Sequence, residues 1–254
     1  MDKTTERFVA YAAALRYSDL TPQAIHAVKR SVADAVGCAL GAFHAEPVKA
    51  VRALASRVSS TTPATLIGTR IKTSPEWAAF ANGAMVRYLD FSDDYFGGSG
   101  DTGPHPSDNI GGMLAAAESS GADGKTLVLG IALAYEACGQ LVDHATIRVH
   151  GWDHPIFHSI ASALGAAKIM SLSREQMANA LGLAVVANIC LRETRMGDIS
   201  NWKGFAGPNG SRNGLFAAML AQEGISGPQR SLSDWSSAPR RRNQGKDLYT
   251  RALS

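Results

Sequence analysis

Apolar residues recur at steps of three and four over most of this chain, the spacing that lines up one face of an α-helix. From Pro22 onward, Ile25, Val28, Val32, Val36 and Leu40 keep that spacing and predict a helix with these five on its buried face. Thr21 is placed to cap its first turn, and Pro22 stands at the first helical position, where no backbone N–H is needed. Ser74-Pro75 opens a second helix in the same way, with Trp77, Phe80, Met85 and Tyr88 available to a core. Ser173 and Gln176 have capping-box spacing ahead of Met177, Leu181, Leu183 and Val186. Further helices are predicted over about 46–58, 108–121, 125–147, 155–170 and 202–223. The one convincing β signal is Ala64 to Gly68 with Arg70-Ile71, a short extended pair. The pattern as a whole predicts an all-α fold.

Two stretches break the periodicity. Asp90 to Asp108 is rich in Gly, Asp and Ser, and loops of this length in compact domains are usually functional or disordered. After Gly227 the apolar pattern is lost, and residues 229–254 read as a disordered tail beyond a domain of residues 1–228.

Composition supports the helical reading. Hydrophobic residues make up 45% and charged residues 19%, ordinary for a globular protein, and the abundance of Ala and Gly suits closely packed helices. The formal charge of +3 is unevenly spread. Residues 229–254 carry Arg230, Arg240, Arg241, Arg242, Lys246 and Arg251 against Asp234 and Asp247, a net of +4, so the rest of the chain stands at −1. The basic character belongs to the tail and gives no support for a nucleic-acid-binding domain. Cys38, Cys138 and Cys190 are far apart with no C-x-x-C, which disfavours zinc ribbons and cysteine-bound clusters. The odd count and the charged start from Met1 to Arg7 point to a reducing, cytoplasmic setting. No run of about 18 uninterrupted apolar residues suggests a membrane span.

Three clusters could carry chemistry. In the first, Asp90, Asp93 and Asp94 are followed by His105-Pro106-Ser107-Asp108 at a predicted helix start, where free N–H groups favour anions. His105 there is either a proton-transfer group or a solvated loop residue, and Ser107 or Asp108 either a helix cap or more. In the second, Gly151-Trp152-Asp153-His154 places His154 just before a helix, with His158 one turn on. Two histidines four apart can share a metal, but no H-E-x-x-H glutamate or third ligand accompanies them. In the third, Arg192, Arg195 and Lys203 offer cations suited to carboxylates, or simply a charged helical face.

Taken in order, L-D-F-S-D-D-Y, H-P-S-D-N-I, G-W-D-H, L-R-E-T-R and S-N-W-K-G-F-A resemble the MmgE/PrpD family of 2-methylcitrate dehydratases, cis-aconitate decarboxylases and iminodisuccinate epimerases. The stretch from Leu20 to Cys38 is similar to the family's opening helices, and the resemblance covers about residues 5–228. It implies a large all-α domain that pairs with a smaller α/β lid domain, a homodimer, a tricarboxylate substrate, and no metal or other cofactor. By the same resemblance His105, His154 and Lys203 take catalytic roles, with His105 as base and His154 as acid or the reverse. Asp90, Asp94, Arg192 and Arg195 fall to substrate binding. Dehydration needs a C–H proton removed and a departing hydroxyl protonated, and histidines with nearby cations suit both.

Asp94 stands where the family often has threonine, and a carboxylate there would repel an anionic substrate. Family members run to about twice this length, so the chain is expected to lack the lid. Two alternatives follow: a decarboxylase or epimerase using the same pocket, or a non-catalytic helical module.

Overall fold

The computed structural model describes residues 1–97 and 103–232. Its helices, in chain order, are α1 (Lys3–Ala14), α2 (Pro22–Gly41), α3 (Glu46–Ala55), α4 (Pro75–Arg87), α5 (Ile110–Ser120), α6 (Gly124–His144), α7 (Pro155–Ile169), α8 (Arg174–Val186) and α9 (Ala206–Gln222). Between α3 and α4 two short strands, β1 (Ala64–Thr65) and β2 (Lys72–Thr73), pair antiparallel with Ala64 opposite Thr73. The fold is all-α, as the periodicity predicts. The strand partner lies just past Arg70-Ile71, and Ile71 contributes its carbonyl to the Leu66 N–H at 2.9 Å.

Helix starts follow the capping chemistry. Thr21 Oγ1 accepts from the Ala24 N–H, and Ser173 and Gln176 complete their reciprocal box. Ser74 differs, because its hydroxyl donates to Glu76 Oε1 instead of capping the helix. On α2 the buried face is Val28, Ala35 and Ala39, and Leu40 is 51% exposed. Ala35 and Ala39 join Val28 in the contact of α2 with its neighbours, and Val32 packs against the core from a half-buried position. Likewise Asp108 does not cap a helix. Residues Pro106–Asn109 form a 3-10 turn, α5 begins only at Ile110, and the Asp108 carboxylate is fully buried.

Helix α7 is the centre of the molecule. Every residue from Pro155 to Ala167 is buried, so it has no solvent face and is packed on all sides. Glycine permits two of these contacts: a Cβ on Gly165 would lie 2.8 Å from the Gly130 carbonyl of α6, and one on Gly214 of α9 would lie 2.4 Å from the Ser159 carbonyl. Within that packing Ser162 donates to Asn109 Oδ1 at 2.7 Å and meets Ser211 Oγ at 2.8 Å, which joins α7, α9 and the 106–109 turn through buried polar groups. By length and composition α6 is apolar enough to cross a membrane, and 56% of its apolar window is buried inside the fold.

The end of the described chain packs back on its start. Gln229 accepts from the Asp2 N–H, the Leu232 N–H donates to Asp2 Oδ2, and Leu232 is buried. The remainder of the basic tail, residues 233–254, lies outside the described residues.

Candidate active site

Helix α4 ends with Arg87, a buried guanidinium, and the chain then turns sharply. Asp90 makes that turn in the left-handed region, at φ 58°, which a short polar side chain tolerates better than a bulky one. One carboxylate oxygen pairs with Arg87, and the other accepts from Lys203 Nζ at 3.0 Å, across 113 residues of sequence. Lys203 is held by its neighbours. Ser200 caps the 3-10 turn Asn201–Gly204, and Trp202 and Phe205 stack near Phe80 of α4, with ring centroids 6.4 and 6.1 Å away. The aromatic residues flanking Lys203 thus anchor the turn that presents it.

His105 is brought to the same place by Asp93. That carboxylate accepts from the Ser107 N–H at 2.9 Å and from Tyr135 Oη at 2.8 Å, fixing the loop against α6. His105 Nε2 then lies 3.9 Å from Asp90 Oδ1, and the ring is 12% exposed.

A second strand of contacts delivers His154. The Asp153 N–H donates to Cys190, the Arg192 N–H donates to Gly151, and Trp152 bridges to Leu191, which ties the segment before α7 to the one before Arg195. Arg195 Nε contacts both oxygens of Asp153 at 2.9 and 3.0 Å, and its Nη2 donates to His154 Nε2 at 3.0 Å. Arginine has donors only, so His154 Nε2 must be the bare nitrogen, with its proton on Nδ1, 3.4 Å from Asp153 Oδ1. The rings of His105 and His154 lie 6.4 Å apart, and that of His158 stands 5.7 Å beyond at 87°.

His158 is fixed by the same logic. Asn109 Nδ2 donates to Pro106 O and lies 3.3 Å from His158 Nδ1, while Asn109 Oδ1 receives the Ser162 hydroxyl. With the amide so oriented, His158 Nδ1 accepts and Nε2 carries the proton, 3.4 Å from Asp108 Oδ2. The other neighbour of that oxygen is Arg87 Nε at 3.5 Å.

These surroundings set the charges. Burial would raise Asp90, but Lys203 and Arg87 outweigh it and hold the carboxyl at about 2. Burial lowers His105, Arg87 lowers it further, and Asp94 and Asp90 partly offset both. Burial, then Arg195, keeps His154 well below the ordinary histidine value, and burial does the same for His158. Asp108 is pushed up to about 7 by burial, against the opposing pull of Arg87. The site therefore pairs three cations with three acids around neutral histidines, of which His105 reaches the surface.

Of the residues singled out in the sequence, Asp90, His105, His154, Arg195 and Lys203 come together here. Asp94 is exposed and acts on His105 through its charge. Arg192 enters by its backbone N–H, and its guanidinium is not among the groups these distances unite. His154 and His158 face different carboxylates, and among the described residues no three His, Cys, Asp or Glu side chains converge as metal ligands. Sequence reasoning missed Arg87, Asp153 and the buried role of Asp108. A charged residue closing the apolar run Ala84-Met85-Val86 was a usable signal for the first. A cleft of about 650 Å³ lies elsewhere, between α1 and α6.

The MmgE/PrpD N-terminal domain matches residues 6–236. The 2-methylcitrate dehydratase of Escherichia coli O157:H7 is 32% identical over 65% of this chain and 36% of its own length. That of Cupriavidus necator is 28% identical over 84% of this chain and 46% of its own, and the mitochondrial one of Yarrowia lipolytica 30% over 76% and 39%. The chain therefore spans between a third and a half of the length of these relatives.

Proposed function

The chain belongs to the MmgE/PrpD family, and from that membership and the site's geometry we propose that it carries the substrate-binding and proton-transfer residues of a hydro-lyase acting on 2-methylcitrate or a related tricarboxylate. The observation that carries this reading is the convergence of Lys203, Asp90 and His105, from three separate segments, beside the Arg195–His154 pair. Burial keeps His105 neutral near pH 7, the form that accepts a proton. In this reading its Nε2 takes the C–H proton, the C–H electron pair forms the new double bond, and the hydroxyl leaves. The Lys203 ammonium supplies the proton that makes the departing group water.

In this reading His154 is not the acid, one of the two roles that the resemblance leaves open to it. Its Nε2 is bare and occupied by Arg195, so it has no proton to give on that side. Arg195 and Lys203 are each held by a carboxylate, and the substrate's carboxylates exchange with Asp153 and Asp90 as they bind.

The test is turnover of 2-methylcitrate, followed by the absorbance of the unsaturated product and by its mass. We expect loss of water, and a fall of about 10²- to 10⁴-fold in both His105→Ala and Lys203→Ala with helical circular dichroism unchanged. Full activity in both variants would remove these residues from the mechanism. Release of carbon dioxide, or inversion at constant mass, would replace the hydro-lyase by a decarboxylase or an epimerase.

A further inference from the structure

Beneath the residues just described lies a carboxylate that the proposed reaction does not use. Asp108 has no exposed surface and stands between two partners on different helices. Arg87 of α4 lies 3.5 Å from its Oδ2, and His158 of α7 lies 3.4 Å from the same atom. Each partner leads to one half of the site. Arg87 pairs with Asp90, whose other oxygen holds Lys203 and which faces His105. His158 stands edge-on to His154, which Arg195 and Asp153 hold from the far side.

The surroundings keep Asp108 from moving. Asn109 fixes the tautomer of His158, so that the proton is on the nitrogen nearest Asp108. On the α9 side Gly207 leaves no slack, because a Cβ there would run into Asp108 Oδ2. Neither carboxylate oxygen makes a hydrogen bond within ordinary limits, so the group is held by charge and packing. A buried carboxylate in that condition is costly unless its charge does something for its neighbours.

We infer that Asp108 is the positioning residue of the site, holding Arg87 and His158 so that the Asp90–Lys203–His105 half and the His154–Arg195 half keep one register. This rests on the reading that the cluster is the catalytic site, and it adds a residue that never touches substrate. Displacements of about 1 Å in such a framework lower turnover by about 10²-fold with little effect on ground-state binding.

The experiment compares wild type with Asp108→Asn, which keeps the shape and removes the charge, and with Arg87→Lys, which keeps the charge but loses the planar fork. Two readouts are taken: nitrogen-15 signals of the histidine rings, and kcat and KM for 2-methylcitrate. We expect wild-type His158 to show a protonated Nε2 and a bare Nδ1. Asp108→Asn should move the ring signals of both His105 and His154 and lower kcat by about 10²-fold at nearly constant KM. Arg87→Lys should move His105 while leaving His158 in place, and it serves alone if Asp108→Asn does not fold. Unmoved His105 and His154 signals in a folded Asp108→Asn protein, or an unmoved His105 in Arg87→Lys, would overturn the inference. If wild type turns nothing over but the ring signals respond as stated, the positioning role stands and the hydro-lyase reading falls.

Discussion

Arg195 decides which nitrogen of His154 is available, because a guanidinium can only donate and it sits 3.0 Å from Nε2. Its charge is also the second cause, after burial, of the lowered His154 pKa. Arg195→Gln should therefore raise the His154 midpoint toward the ordinary histidine value, read by ring titration in NMR. An unchanged midpoint would mean that burial alone sets it. Asp108 makes a prediction of the opposite kind. Its folded-state pKa of about 7 lies above the ordinary aspartate value of 3.8, so the fold binds an extra proton between those values. The stability this contributes is complete below about pH 4 and is lost as pH rises through 7. His154 and His158 are shifted downward, and their contribution runs the other way. The melting temperature of Asp108→Asn should thus fall less, or rise more, than that of wild type from about pH 5 to pH 8. Parallel curves would show that Asp108 is ionised throughout that range.

At the scale of elements, the helices meet through small residues. A Cβ on Gly111 of α5 would lie 2.6 Å from the Gly83 nitrogen and 2.9 Å from the Ala79 carbonyl of α4, both of them backbone atoms that cannot step aside. Gly111→Ala should cost about 1–3 kcal/mol, seen as a lowered urea midpoint at unchanged slope, and wild-type stability would refute this account of the α4–α5 contact. The same feature explains what the sequence could reveal. Helices with capping signals, at Thr21 and Ser173, were legible because local chemistry decides their starts. The buried face of α2 was misjudged at Leu40, because Ala35 and Ala39 carry no strong hydrophobic signal although both are fully buried. Within the site, His105, His154 and Lys203 could be found because unusual neighbours flank them. Asp108 could not, since it looks like a helix-end charge until α4, α7 and α9 are packed together.

For the molecule as a whole, these helices act as a frame that carries residues from positions 87 to 203 into one cluster, with α7 buried at its centre. Near that cluster Ile189, Leu191, Met196, Ile199 and Trp202 are all about half exposed. The homodimer that the family resemblance implies predicts a mass in solution of about twice 26.8 kDa by light scattering, and a monomer at micromolar concentration would contradict it. The central claim is that the cluster receives a tricarboxylate, and its most direct test is a titration with 2-methylcitrate followed by the histidine ring signals. Saturable shifts are expected at His105 and His154, with His26 and His44, which lie outside the cluster, unmoved. Shifts spread equally over all four, or none at His105 and His154, would contradict it.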